Sequence, residues 1–252
     1  MRESAYLGDL GGLSARRQLI MLDLRGTGGS ATPADPGSYR CDRLVDDVLA
    51  LRNHLGLDTF DLLGHSAGAN IAVQYAARYQ RQMNKLALIT PSGRAVDLEP
   101  GNELRRQIVK LRHGEPWFAD AAAAFERIDA GAGTASDLKA IAPLVYGRWD
   151  TAAQAHRAAE EAQTNEDAAH AFAAEGAFDA AGTRAALAAF GAPVLILAGV
   201  FDLVRPPAVL AKFAELFPAA RLAVQPGAGH YPWLDDAGRF VSAVTAFLDG
   251  RA

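Results

Sequence analysis

The sequence predicts an α/β fold: a mostly parallel sheet with helices on both faces, interrupted once by an all-helical cap. Three observations predict it. Short apolar runs without helical polarity recur at 18–24, 60–63, 85–90, 193–198 and 221–225, as strands covered on both faces do. Helical stretches alternate with them, the pattern of stacked strand–helix–strand units. Between 92 and 190 the runs vanish and alanine dominates. The core is therefore expected at 1–91 and 191–252, and the cap at 92–190.

The first predicted strand, Gln18–Leu24, runs into Arg25-Gly26-Thr27-Gly28-Gly29-Ser30 and a proline-containing loop to Tyr39. These glycines form no G-x-G-x-x-G pattern and open no helix, which argues against nucleotide binding. Asp42–Leu55 reads as a helix with Leu44, Val48, Leu51 and Leu55 on one face and Gly56 as its stop. The run 60–63 leads into Gly64-His65-Ser66-Ala67-Gly68, then a helical stretch from Ala67 to Tyr79. Lys85–Thr90 is the next short strand, ended by Pro91.

Within the cap, helical patterns fall at 103–113, 116–129, 150–163, 165–175 and 181–190. Trp117, Phe118, Phe125, Ile128, Leu144, Tyr146, Trp149 and Phe172 are its packing residues. Alanine faces bury little area, at about 25 cal/mol per Å². The cap is thus expected to be the less stable and more mobile part. Strand texture returns at Pro193–Ala198. Pro206-Pro207 open a helix through Phe217, Arg221–Gln225 is the last strand, and Asp235–Leu248 closes the chain as a helix.

Composition narrows the function. Lys plus Arg number 25 and Asp plus Glu 29, a net charge of −4 over 252 residues. That mild acidity gives no reason to expect nucleic acid or an anionic membrane as partner. No apolar run approaches the roughly 18 residues a membrane span needs. Met1-Arg2-Glu3-Ser4 lacks a signal peptide's apolar core. Cys41 is the one cysteine, so no intrachain disulfide forms, and it reads as a buried or half-buried thiol. A cytoplasmic protein acting on a small-molecule or short-peptide substrate, without cofactor, is the expectation. The sequence leaves the oligomeric state open.

The chemistry is expected around Ser66. Strand, Gly-x-Ser-x-Gly and helix make the nucleophile-elbow pattern, in which a strained turn lifts a serine off the sheet toward a helix N-terminus. Gly64 and Gly68 provide the small neighbours such a turn needs. A serine hydroxyl needs a base, and the base an orienting acid. In chain order these are Ser66, Asp202 and His230, with both partners in loops just past predicted strands. Competing bases are poorer. His65 adjoins Ser66 in sequence and reads as a packing residue. His54 sits near a helix C-terminus, and His113, His156 and His170 stand at no metal-ligand spacing. Asp23 and Arg25 read as a structural ion pair.

The sequence resembles the α/β-hydrolase superfamily, and within it the proline iminopeptidase-like branch. The residues that carry the resemblance are Asp23-Leu24-Arg25-Gly26-Thr27-Gly28-Gly29-Ser30, Gly64-His65-Ser66-Ala67-Gly68, the Gly199–Asp202 turn and Gly227-Ala228-Gly229-His230. The resemblance implies acyl transfer to water: Ser66 attacks, His230 shuttles the proton, Asp202 orients His230, and the Ala67 N–H is one oxyanion donor. It also implies acidic cap residues that anchor a substrate ammonium. Glu160, Glu161 and Glu166 are candidates, with Trp149 or Tyr146 lining an apolar pocket.

Relatives carry an oxyanion loop of the His-Gly-Gly-Pro-Gly type, and strands ahead of it, before the Asp-x-Arg-Gly segment. This sequence has neither, and reads as an N-terminally truncated form of the fold. In the family the strand before that loop lies between the Gln18–Leu24 strand and the elbow strand. Its loss is expected to leave a gap in the sheet or force a direct re-pairing. A misassigned start codon or a truncated gene is one expectation, which the intact mass of the natively expressed protein decides. Two rival readings follow: a catalytically impaired member acting in binding, or a haloperoxidase-like or lyase activity on the same fold.

Overall fold

The computed structural model describes residues 1–250. Among them the sheet has four strands: β1 (Phe60–His65), β2 (Met83–Ile89), β3 (Val194–Gly199) and β4 (Ala220–Gln225). All pair in parallel, in the order β1-β2-β3-β4. Parallel pairing demands crossover segments, and the helices supply them. α1 (Cys41–His54) precedes β1, and α2 (Gly68–Arg78) joins β1 to β2.

Between β2 and β3 the chain makes α3 (Asn102–Lys110), α4 (Phe118–Asp129), α5 (Ala135–Ala140), α6 (Thr151–Ala158), α7 (Glu166–Phe172) and α8 (Ala180–Leu187). α9 (Pro207–Ala214) joins β3 to β4, and α10 (Pro232–Asp235) and α11 (Ala237–Leu248) end the chain. The cap expectation missed α5. Its signal is local: Thr134 caps the Asp137 N–H while the Asp137 carboxylate accepts from the Thr134 N–H.

The alternation within β2 and β3 builds the layers. Leu86, Leu88, Val194 and Ile196 face one way, into a cluster with α1, α2 and α9. Ala87, Ile89, Leu195 and Leu197 face the other way, packed with Trp233, Phe240, Val244, Leu10 and Leu13. Both faces are therefore dry over residues 86–89 and throughout β3, which is why those stretches read as apolar runs. The inserted helices divide between two cores. Ile108, Val109, Ala121, Phe125 and Leu144 form a cluster of their own with Leu203. Phe172, Ala177, Leu187 and Phe190 instead join the cluster that holds α1 and α2. Alanine-rich helices with so few large side chains gain more by packing on an existing core than by building another. No helix among the described residues is long and apolar enough to cross a membrane.

Two sequence expectations fail at the N-terminal side. Residues 18–24 form no strand. Ile20 and Met21 are 50% and 38% exposed, and no backbone group of residues 18–22 is hydrogen-bonded to another described residue. The physical reason is geometric. A cavity of about 600 Å³ lies between this segment and β1, lined by consecutive residues on both sides. Consecutive strand residues point to opposite faces, so a cavity touching all of them lies at the strand's edge, in the plane of the sheet. The segment has the composition of a strand but no backbone hydrogen-bond partner for residues 18–22 among the described residues.

The second failure is the Asp23–Arg25 pair. Arg25 binds Asp47 of α1 instead. Asp23 accepts from the Ser4 N–H at 2.7 Å and the Gly29 N–H at 2.9 Å, which holds its carboxyl below the usual range.

Unbonded amides exchange with solvent unless they are otherwise buried. Hydrogen exchange is expected to find the amides of residues 18–22 unprotected while those of β2 and β3 exchange slowest in the chain. Protection of 18–22 equal to that of β2 would show a pairing partner in solution.

Candidate active site

Ser66 occupies the turn between β1 and α2 with φ +49°, a left-handed conformation that costs a non-glycine residue about 1–3 kcal/mol. Its surroundings hold it there. The Ser66 N–H donates to the Ile89 carbonyl at 3.1 Å, and the Ser66 carbonyl accepts from the Ala69 and Ser92 N–H groups. Gly64 is the close neighbour: a Cβ there would lie 2.9 Å from the Ala69 Cα and 3.0 Å from the Ala72 Cβ. Gly68 differs from expectation, since a Cβ there would meet open space. The elbow needs one small neighbour, at position 64.

Asp202 and His230 complete a continuous line of hydrogen bonds. The Ser66 Oγ is 2.8 Å from His230 Nε2, and His230 Nδ1 is 3.0 Å from Asp202 Oδ2. Asp202 is fully buried. Its other oxygen accepts from the Val204 and Arg205 N–H groups at 2.8 and 2.9 Å. Those two amides fix the carboxylate rotamer. The three side chains follow β1, β3 and β4, at the carboxyl ends of the strands, where open α/β sheets place their sites. The Ala67 N–H has no acceptor within the described chain and opens α2 beside Ser66.

His230 lies in a loop pressed against the inserted helices. Its N–H donates to the Val145 carbonyl at 2.7 Å, and a Cβ on Gly229 would sit 2.5 Å from that same oxygen. Asp235 accepts from the Gly229 N–H at 2.8 Å and from the Arg148 N–H at 3.0 Å. Burial pushes the Asp235 carboxyl up, against these amides.

The remaining predicted residues divide. Tyr146 is buried, with its hydroxyl bonded to His156, so it supports the site from behind and lines no open pocket. Trp149, half-buried, packs on Tyr146 with ring centroids 5.4 Å apart. Glu160 pairs with Arg157 at 2.7 Å, and Glu161 and Glu166 are exposed. None of the three glutamates lines the cavity at Ser66.

Sequence reasoning missed Tyr6, Thr90 and His156. The Tyr6 hydroxyl reaches His65 and the Thr90 hydroxyl reaches the His230 carbonyl. No spacing rule links residues 59 or 140 positions apart, so only the folded chain reveals them. Cys41 is buried as expected, and burial pushes its thiol up.

Burial holds the imidazole of His156 down at about 4 and that of His65 well below its ordinary value. A group whose folded value is depressed loses its contribution to stability as pH falls. Thermal stability is expected to decline as pH drops from 6.5 toward 4, the interval over which an unfolded His156 takes up a proton that the folded one refuses. His156→Gln should flatten that decline in calorimetric scans. An unchanged slope in the variant would remove the assignment.

Comparison with known proteins places this geometry. The α/β hydrolase fold family matches residues 10–237. N-formylmaleamate deformylase of Pseudomonas putida is 32% identical over 232 residues, covering 91% of this chain and 78% of that enzyme. Proline iminopeptidase of Clostridium botulinum is 37% identical over 90 residues, which are 36% of this chain and 31% of that one. The chain thus matches about a third of that relative's length. Among solved structures, proline iminopeptidase of Mycobacterium smegmatis aligns with TM-score 0.75 and 24% identity, over 98% of this chain and 85% of that one. A thermophilic esterase from Thermogutta terrifontis aligns with TM-score 0.71 and 23% identity, over 99% and 86%. These structural likenesses carry the fold. With the family matched across most of its length, the chain belongs to the α/β-hydrolase superfamily and resembles its proline iminopeptidase-like branch.

Proposed function

We propose that this hydrolase cleaves an ester or amide through a covalent acyl-serine intermediate. The observation that carries the reading is the unbroken line Ser66 Oγ, His230, Asp202, at 2.8 and 3.0 Å. In this scheme His230 Nε2 takes the hydroxyl proton as Ser66 Oγ attacks the carbonyl carbon. Asp202 stabilises the resulting imidazolium through Nδ1–H. The Ala67 N–H and the α2 N-terminus stabilise the oxyanion. The imidazolium then gives its proton to the departing alcohol or amine. Water, deprotonated by the same imidazole, attacks the acyl-enzyme, and the acid leaves as Ser66 regains its proton.

The cavity beside Ser66 is walled by side chains such as Leu24, Leu62, Leu63, Ile71 and Phe172. N-terminal proline removal is a finer reading, supported by the iminopeptidase-like matches. It needs an acidic anchor for the ammonium, and Glu160, the half-buried one of the three candidates, is held by Arg157.

A serine-directed phosphonate is expected to label the wild-type chain and not Ser66→Ala. Asp202→Asn should retain the fold and slow turnover of a nitrophenyl ester by about 10⁴, as loss of the orienting acid does in such sites. Folded wild-type protein that resists the probe would favour a binding protein. Turnover of a proline arylamide, lost in Glu160→Gln, would establish the finer reading, and ester turnover without arylamide turnover would remove it.

A further inference from the structure

A chain of hydrogen bonds, part-buried at its outer links and buried at His65, runs from the inserted helices to the backbone of His230, and the acyl-transfer scheme makes no use of it. The Tyr146 hydroxyl lies 2.9 Å from His156 Nδ1. His156 Nε2 lies 3.1 Å from the Tyr6 carbonyl oxygen. The Tyr6 hydroxyl lies 2.8 Å from His65 Nδ1. His65 Nε2 lies 3.0 Å from the His230 carbonyl oxygen.

The direction of each bond follows from chemistry. A carbonyl only accepts, so each imidazole carries its proton on Nε2. Each Nδ1 is then an acceptor and receives a hydrogen bond from a tyrosine hydroxyl. Burial keeps both imidazoles neutral and both tyrosines protonated, so every donor meets an acceptor. The His230 carbonyl also accepts from the Thr90 hydroxyl at 2.9 Å. Its two lone pairs are thus filled by side chains from the ends of β1 and β2, next to the elbow.

We infer that His65 and Tyr6 are positioning residues for His230, and that His156 and Tyr146 tie that positioning to the inserted helices. The inference rests on His230 being the base. Its logic is mechanical. His230 sits in a glycine-rich loop outside regular structure, yet its imidazole must stay within hydrogen-bond reach of a serine on another element. The His65 ring is wedged between Tyr6, His230, Tyr231 and Trp233, with centroids 4.8–5.6 Å apart. It therefore cannot turn away from the carbonyl it holds. Tyr6 fixes which nitrogen carries the proton: without its hydroxyl, Nδ1 could take the proton instead, and Nε2 would present a lone pair to the carbonyl.

Two substitutions at 65 separate positioning from packing. His65→Gln keeps a donor that can reach the His230 carbonyl. His65→Leu fills the space and has no donor. Misplacing a reacting group by about 1 Å can cost 10²-fold. The leucine variant is expected to lose about tenfold or more in kcat with KM unchanged, the glutamine variant about threefold or less. The reverse order, leucine active and glutamine impaired, would make His65 a packing residue and overturn the inference.

Tyr6→Phe removes a single oxygen and carries the test if either variant fails to fold. It is expected to lower kcat several-fold and to leave His65 without a single tautomer in the nitrogen NMR spectrum of the ¹⁵N-histidine-labelled chain. In the wild type that spectrum should show His65 and His156 neutral with the proton on Nε2. A proton on Nδ1 of His65 overturns the inference. The spectrum needs no turnover, so a wild-type chain without hydrolytic activity would defeat the proposed function and leave this reading to be decided by NMR.

Discussion

The left-handed backbone at Ser66 is the constraint on which the site depends. A serine at φ +49° lies on the steep side of the backbone map, and nothing intrinsic to the residue keeps it there. Neighbours do. The Ile89 carbonyl takes its N–H, the Ala69 and Ser92 amides take its carbonyl, and Gly64 lets α2 approach β1 to within van der Waals contact. The strain is local, and the interactions that offset it are spread over β1, β2 and α2. A hydroxyl is thereby presented at the mouth of a cavity with a helix N-terminus behind it.

From that point the rest of the site follows by strand order. β3 and β4 each end where their loops can reach back over the sheet, and these loops bring Asp202 and His230 to Ser66. The loop of His230 has no regular structure to hold it. It is fixed instead by contacts at its backbone: the Val145 carbonyl on its N–H, Thr90 and His65 on its carbonyl, and Asp235 on the preceding amide. The inserted helices are thus not merely a cover. One of the bonds that place His230 comes from residue 145, and glycine at 229 is required because the Val145 carbonyl lies where a side chain would be.

Much of this was legible in the sequence, because the signals were local and redundant. The unbroken apolar runs of β2 and β3 reported burial on both faces. The elbow was readable because a strand, a glycine, a serine and a helix must follow one another in that order. Asp202 and His230 were found through their positions just past predicted strands. The failures share a different cause. Residues 18–24 carry a strand's composition, but strand formation requires a partner edge, which composition cannot report. Arg25 had two carboxylates to choose from, and tertiary packing favoured Asp47 over its neighbour in sequence. Tyr146 looked like a pocket wall because it is aromatic and lies in the insertion, yet its hydroxyl found His156 and the ring was buried. The network of Tyr6, His65 and His156 was invisible for the same reason: its members are far apart in the chain and each is unremarkable alone.

The gap beside β1 and the tethered loop of His230 bear on each other. The cavity wall on one side is the free edge of β1, and on the other an extended segment without backbone hydrogen bonds. That half of the site is the soft half, since local openings draw on regions with few such bonds. Ser66 stands at the boundary. Its own turn, its helix and its partners all belong to the hydrogen-bonded half, while the cavity wall through Leu19, Met21 and Leu22 belongs to the other. A site divided in this way keeps the hydrogen-bonded line of Ser66, His230 and Asp202 on the ordered side of the gap. The hydrogen-bonded side of the site and the side without backbone hydrogen bonds therefore meet along the edge of a single strand.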